Sequence, residues 1–216
     1  MITVEGRFEH HHPAERGTVT LTVGFEGPTR ESVVQRTTQT HTALVAEVRS
    51  LHVPTAGPVT WWSADRLRAW STRPWNKDGK QLPPVHHCAV SLEVKFSDLE
   101  RLAAWVERVA ELDGVTVGGI EWALTVATRA RLVADARERS VQDAVAKATS
   151  YATSLGLTQV RPVALAEPGM LGDHAAPTSS YVGSAMRRAS ADGPELELKP
   201  ADVTIEARVH ARFAAS

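Results

Sequence analysis

The residues best suited to chemistry in this 216-residue chain are its nine histidines and single cysteine. Three histidines are consecutive, His10-His11-His12. If the strand around them persists, His10 and His12 share a face, and their imidazoles suit Zn, Cu or Ni. No Asp, Glu or Cys stands beside them at ligand spacing, and Pro13 ends the element, so the competing reading is a solvated strand end. His86-His87-Cys88 is similar: neighbours in a strand point to opposite faces, so only His86 and Cys88 converge. Core packing explains that pair more simply than ligation or nucleophilic chemistry. His41 falls on an apolar helix face and reads as a hydrogen-bonded core histidine. His10, His12 and His86 are thus the metal candidates, and the sequence assigns no metal or cofactor.

Gly118-Gly119 and Gly169-x-x-Gly172 do not form a phosphate loop, because neither a Walker lysine nor a dinucleotide fingerprint follows them. Four of the six tryptophans, Trp61, Trp62, Trp70 and Trp75, lie close to Arg66, Arg68 and Arg73. Such a set stacks on bases or sugars, or forms the centre of a subunit interface. The net charge of −1 favours core or interface and gives no case for nucleic acid. Arg187-Arg188 reads as a solvated pair. No base and nucleophile stand at interpretable spacing, so the expectation is a protein without catalysis.

At 43% hydrophobic and 23% charged residues, the composition is that of a globular chain. One cysteine excludes an internal disulfide and a cysteine-based zinc site. The opening MITVEGRFEH has no apolar leader, and no apolar run is long enough to span a bilayer, so the expected location is cytoplasmic.

The stretch 115–157 organises the rest. Val115, Val117, Ile120, Trp122, Leu124 and Val126 alternate as a strand, with a bulge at Gly118-Gly119. Thr128 then caps a long helix whose inner face is Val141, Ala144, Val145, Ala148, Ala152 and Leu155. Gly156 stops it, with Leu157 folding back. Before this stretch, residues 2–9 and 18–25 alternate as two strands, with a short Pro13–Gly17 link that suits a hairpin. Thr29 opens a helix with Val34, His41, Leu44, Val45, Val48 and Leu51 inward. Val59 to about Trp75 reads as one irregular strand, and Asn76 to Lys80 as a turn. His86, Cys88, Val90, Leu92, Val94 and Phe96 share a strand face. Ser97-Asp98-Leu99-Glu100 is a capping box opening a helix with Leu99, Leu102, Ala103, Val106, Val109 and Ala110 inward. A short strand, Val160 to Ala166, precedes a long flexible loop over 167–199. Val203, Ile205, Ala207, Val209, Ala211 and Phe213 form the inner face of a last strand. The order ββα-ββα-βα-ββ predicts an α+β protein, with three helices on largely antiparallel sheet, in one domain of one or two lobes.

Several segments in this order resemble the SIMPL domain family. ITVEGRFE resembles its first strand, GTVTLTVGFEGPTRESV its second strand and helix start, and HHCAVSLEVKFSDLERLAAWVERV its central block. LVADARERSVQDAVAKATSYATSLGL resembles its Ala-rich helix, and KPADVTIEARVHARFAAS its closing strand. Two positions depart from the pattern, at His86-His87 and at Pro200-Ala201. The resemblance implies a non-enzymatic, envelope- or stress-associated protein that assembles into hollow rings. Its partner would be itself, with Trp61, Trp62, Trp70 and Trp75 as interface candidates. The alternative is a small-ligand or metal-binding protein that uses the histidines and the long loop.

Overall fold

A computed structural model describes residues 1–75, 81–171 and 198–216. The elements are β1 (Ile2–His12), β2 (Arg16–Gly27), α1 (Arg30–Leu51), β3 (Val59–Ala64), β4 (Arg68–Thr72), β5 (Val85–Phe96), α2 (Leu99–Ala110), β6 (Val115–Ala123), α3 (Val126–Ser154), β7 (Val160–Ala166) and β8 (Val203–Ala215). Pairing among these strands is antiparallel throughout, so the class is α+β. Two expectations about connectivity fail. Residues 59–75 are two strands rather than one, broken at Asp65-Arg66-Leu67, and both pair with β5. The order is therefore ββα-βββα-βα-ββ. Nor do β1 and β2 form a hairpin: β1 pairs with β8, while β2 pairs with β5 and β6. Alternation fixes which residues face a core, but not which strand lies alongside. The expected turn at 76–80 and most of the expected loop over 167–199, with Gly172 and Arg187-Arg188, lie outside the described residues.

Two compact units emerge. One comprises Ala14–Ala123 with the described part of Ser190–Ala201. Its sheet has the order β3-β5-β2-β6, with β4 also on β5. Val19, Leu21 and Val23 of β2 and Val90, Leu92, Val94 and Phe96 of β5 face one way. Against them pack Leu44, Val45 and Val48 of α1, and Leu102, Val106 and Val109 of α2. Trp105 joins this core, its ring 5.4 Å from that of Phe96, a position the sequence reading missed. Asp98 alone caps α2, accepting from the Arg101 N–H at 3.0 Å. Ser97, expected in the cap, instead donates to the Gly57 carbonyl at 2.7 Å. The first turns of α1 bury Val33 and Thr37, while Val34 is only half-buried. The Thr37 hydroxyl is satisfied by the Val33 carbonyl four residues back, at 2.8 Å.

The other unit comprises Met1–Pro13, the described part of Leu124–Ala189, and Asp202–Ser216. Its sheet has the order β1-β8-β7, and α3 lies on one face. Thr125, not Thr128, caps α3, its Oγ1 accepting from the Thr128 N–H at 3.2 Å. The preceding strand accordingly ends at Ala123, and Val126 is the first helical residue, fully outside. The buried stripe is Leu132, Ala136, Ser140, Ala144, Ala148 and Ala152, a strict four-residue repeat. Val145 and Leu155, expected inside, are exposed. The reason is close approach. A Cβ added to Gly6 of β1 would lie 1.9 Å from the Ser140 carbonyl oxygen, so only small residues fit along the line of contact. The chain's own β1 and β8 thus cover the Ala-rich stripe. Gly156, with φ of 77°, ends the helix, and the Leu157 N–H reaches the Ala152 carbonyl at 2.9 Å.

Candidate functional site

The histidine cluster opens onto solvent. His10 and His12 share a face as expected, with ring centroids 6.2 Å apart. His12 Nδ1 is 2.8 Å from the Pro13 carbonyl oxygen, and His11 points the other way, 3.0 Å from Thr204 Oγ1. Among the described residues no group of three His, Cys, Asp or Glu is placed to hold a metal ion. His86 is held by Ser71, Nδ1 to Oγ at 2.7 Å, while Cys88 is buried in the sheet. The two do not form a site. His41 corrects the expectation of a satisfied core histidine: its Nε2 is buried without a hydrogen-bond partner, and burial pushes its pKa down.

The tryptophans gather on the edge of the sheet built on β5. Trp61 and Trp62 are adjacent in β3 and therefore face opposite ways. Trp62 turns to the core side and is half-buried, with the Arg49 guanidinium 5.5 Å from its ring. That removes it from the candidate interface. Trp61 points to the face away from α1 and α2, with Lys95 Nζ 5.6 Å from its ring, and remains 43% exposed. Trp70 of β4 lies opposite His87 and stacks on it, centroids 5.3 Å apart and planes 12° apart, leaving 44% of the residue exposed. Trp75 is 80% exposed. Arg66 and Arg68 are exposed beside them, and Arg73 donates to Gln81 at 3.0 Å.

The same edge holds a constellation the sequence did not reveal. His87 Nε2 is 2.8 Å from Thr72 Oγ1, and His87 Nδ1 is 3.5 Å from a Glu26 carboxylate oxygen. The three residues sit on β5, β4 and β2, so only the order of strands brings them together. No spacing along the chain signals this, because β4 was not recognised as a separate strand.

Both the elements and their sequence patterns run the length of a known family. The chain matches SIMPL, described as a protein of unknown function (DUF541), over residues 2–213. It belongs to the SIMPL family. No curated protein matches it. Among the described residues of this SIMPL chain, no helix is long and apolar enough to cross a membrane.

The edges of the β1-β8-β7 sheet are guarded in the SIMPL chain. β8 lies between β1 and β7 and has no edge to offer. On β1, the Asp143 carboxylate accepts from the Arg7 N–H at 2.8 Å and the Lys147 ammonium donates to the Glu5 carbonyl at 3.0 Å. Asp143 and Lys147 are themselves paired at 2.6 Å, which holds the Asp143 pKa down. β7 carries Pro162 and a register shift, both of which blunt an edge.

Proposed function

We propose that this SIMPL protein is a self-assembling structural or interaction protein, working as a ring-like homo-oligomer rather than an enzyme. One observation carries the reading. Trp61, Trp70 and Trp75 leave 43%, 44% and 80% of their surface in water along one sheet edge, beside exposed Arg66 and Arg68. Tryptophan and arginine are the residues most enriched at the energetic centres of interfaces, where aromatic burial outweighs the cost of ordering. Contacts between this edge and a different surface of the next copy are heterologous, and heterologous contacts that close give a ring. The stress association and the ring are what resemblance to the family implies. Light scattering at micromolar concentration tests the reading. A multiple of the 23.4 kDa chain mass is expected, and the mass of one chain would defeat it.

A further inference from the structure

We propose that Thr72 is a nucleophilic hydroxyl, activated by His87, that accepts acyl groups from activated aryl esters. The site is a hydroxyl and a carboxylate on the two nitrogens of one imidazole. Thr72 Oγ1 lies 2.8 Å from His87 Nε2, and His87 Nδ1 lies 3.5 Å from Glu26 Oε2. A proton on Nδ1, facing the carboxylate, leaves Nε2 as an acceptor for the hydroxyl proton. That tautomer is the one a general base needs beside an oxygen nucleophile. The stacked Trp70 ring fixes the plane of the imidazole. Its exposed surface offers an apolar platform for the aryl group of an ester. Thr72 is exposed, so an ester reaches it from solvent. Backbone pairing of β2 and β4 to β5 sets the three positions, so they rest on rigid strands.

The step balances without a further reactant. Oγ1 attacks the ester carbonyl carbon, the Oγ1–C bond forms, and the C–O bond to the aryl oxide breaks. The Thr72 proton passes to His87 Nε2 and then to the departing oxide. The products are an O-acyl threonine and a phenol. Glu26 is a positioning residue, which holds the tautomer and stabilises the imidazolium.

Incubation of the full chain with p-nitrophenyl acetate tests this, with nitrophenolate release timed and the acetyl group located by peptide mass spectrometry. One acetyl on Thr72 is expected. His87→Gln should slow its formation on the order of a hundredfold, the scale of a lost general base. Glu26→Gln should slow it less, and Glu26→Asp should restore part of the lost rate, as expected of a group that orients the imidazole. Thr72→Val, which keeps shape at an exposed position, should abolish the adduct, and Thr72→Ser should retain it. Acetyl confined to lysines or the N-terminus, or a rate that survives both Thr72→Val and His87→Gln, would overturn the proposal. Trp70 belongs to the edge proposed to join copies, so the adduct is also read on Trp61→Glu, where that edge is free; absence of the adduct there overturns this proposal whatever the mass of the native chain.

Discussion

The two sheets are each covered by helix on one side, and their other sides differ. The open face of β1 and β8 is a closed ladder of charge. Arg7 pairs with Glu9 at 2.8 Å and with Glu206 at 2.9 Å, and Glu206 pairs with Arg208 at 2.5 Å. His11 lies 3.4 Å from Glu9, and His210 lies 3.5 Å from Glu5. The open face of β2 and β5 carries Thr18, Thr20, Thr22 and Ser91 beside Glu93 and Lys95, with Trp61 and Trp70 at its edge. A face whose charges already pair within the chain gains little from a neighbour, since desolvating those pairs costs as much as new contacts return. A face with half-exposed tryptophan gains from being covered. Identical layering therefore leaves the two open faces with opposite chemistry.

The largest effects come from breaking one sheet at a time. Leu92→Ala should destabilise the β2–β5 core by about 4 kcal/mol, from lost transfer energy and the cavity left behind. Gly6→Ala should cost about 3 kcal/mol, because the added carbon meets the Ser140 carbonyl and forces α3 off the sheet. Hydrogen exchange should place the loss of protection in β1, β8 and α3 for Gly6→Ala, and in β2, β5, α1 and α2 for Leu92→Ala. Equal losses everywhere in both variants would mean that the two sheets unfold as one, and the comparison would lose its halves.

Acid should separate the sheets more gently. His41 has its pKa lowered by burial from 6.5, so the unfolded chain takes up a proton that the folded chain resists. Stability from this group is full above 6.5 and falls as pH drops below it. Asp143 and Glu206 have pKa values held below 3.8 and 4.5 by hydrogen bonds, chiefly from Lys147 and Arg208 respectively. Their contribution is present above those values and fades only below them. Urea midpoints should therefore first decline just under pH 6.5, and His41→Gln should remove that early slope. An unchanged slope in the variant would place its origin elsewhere. The smallest expected effect is Arg208→Gln, a barely measurable loss that shrinks further in high salt, as with exposed ion pairs generally. A loss several times larger in thermal melts would show that the ladder acts as a unit.

Much of the fold was legible in residues with strict periods. Val203 to Phe213 and Val19 to Val23 alternate, and they face their cores as read. Gly156 and Leu157 announced the helix stop. Less was legible where two periods compete. In α3 the alanines at four-residue spacing won over Val145 and Leu155, because helix–sheet distance, not hydrophobicity, decided what fits at Gly6. The β4 strand was hidden inside 59–75, since Asp65-Arg66-Leu67 breaks it without Gly or Pro. That one miss concealed the Thr72–His87–Glu26 line, which exists only through strand order. Of the tryptophan site, Trp61, Trp70 and Trp75 were readable as a cluster, while the inward turn of Trp62 required the register with Val94.

We propose that copies meet through the tryptophan edge and not through the charged face. The most direct measurement is sedimentation of the native chain beside Trp61→Glu and Arg208→Gln at equal concentration. A multimer is expected for the native chain and for Arg208→Gln, with Trp61→Glu falling toward 23.4 kDa. A multimer that survives Trp61→Glu but dissociates in Arg208→Gln would contradict it.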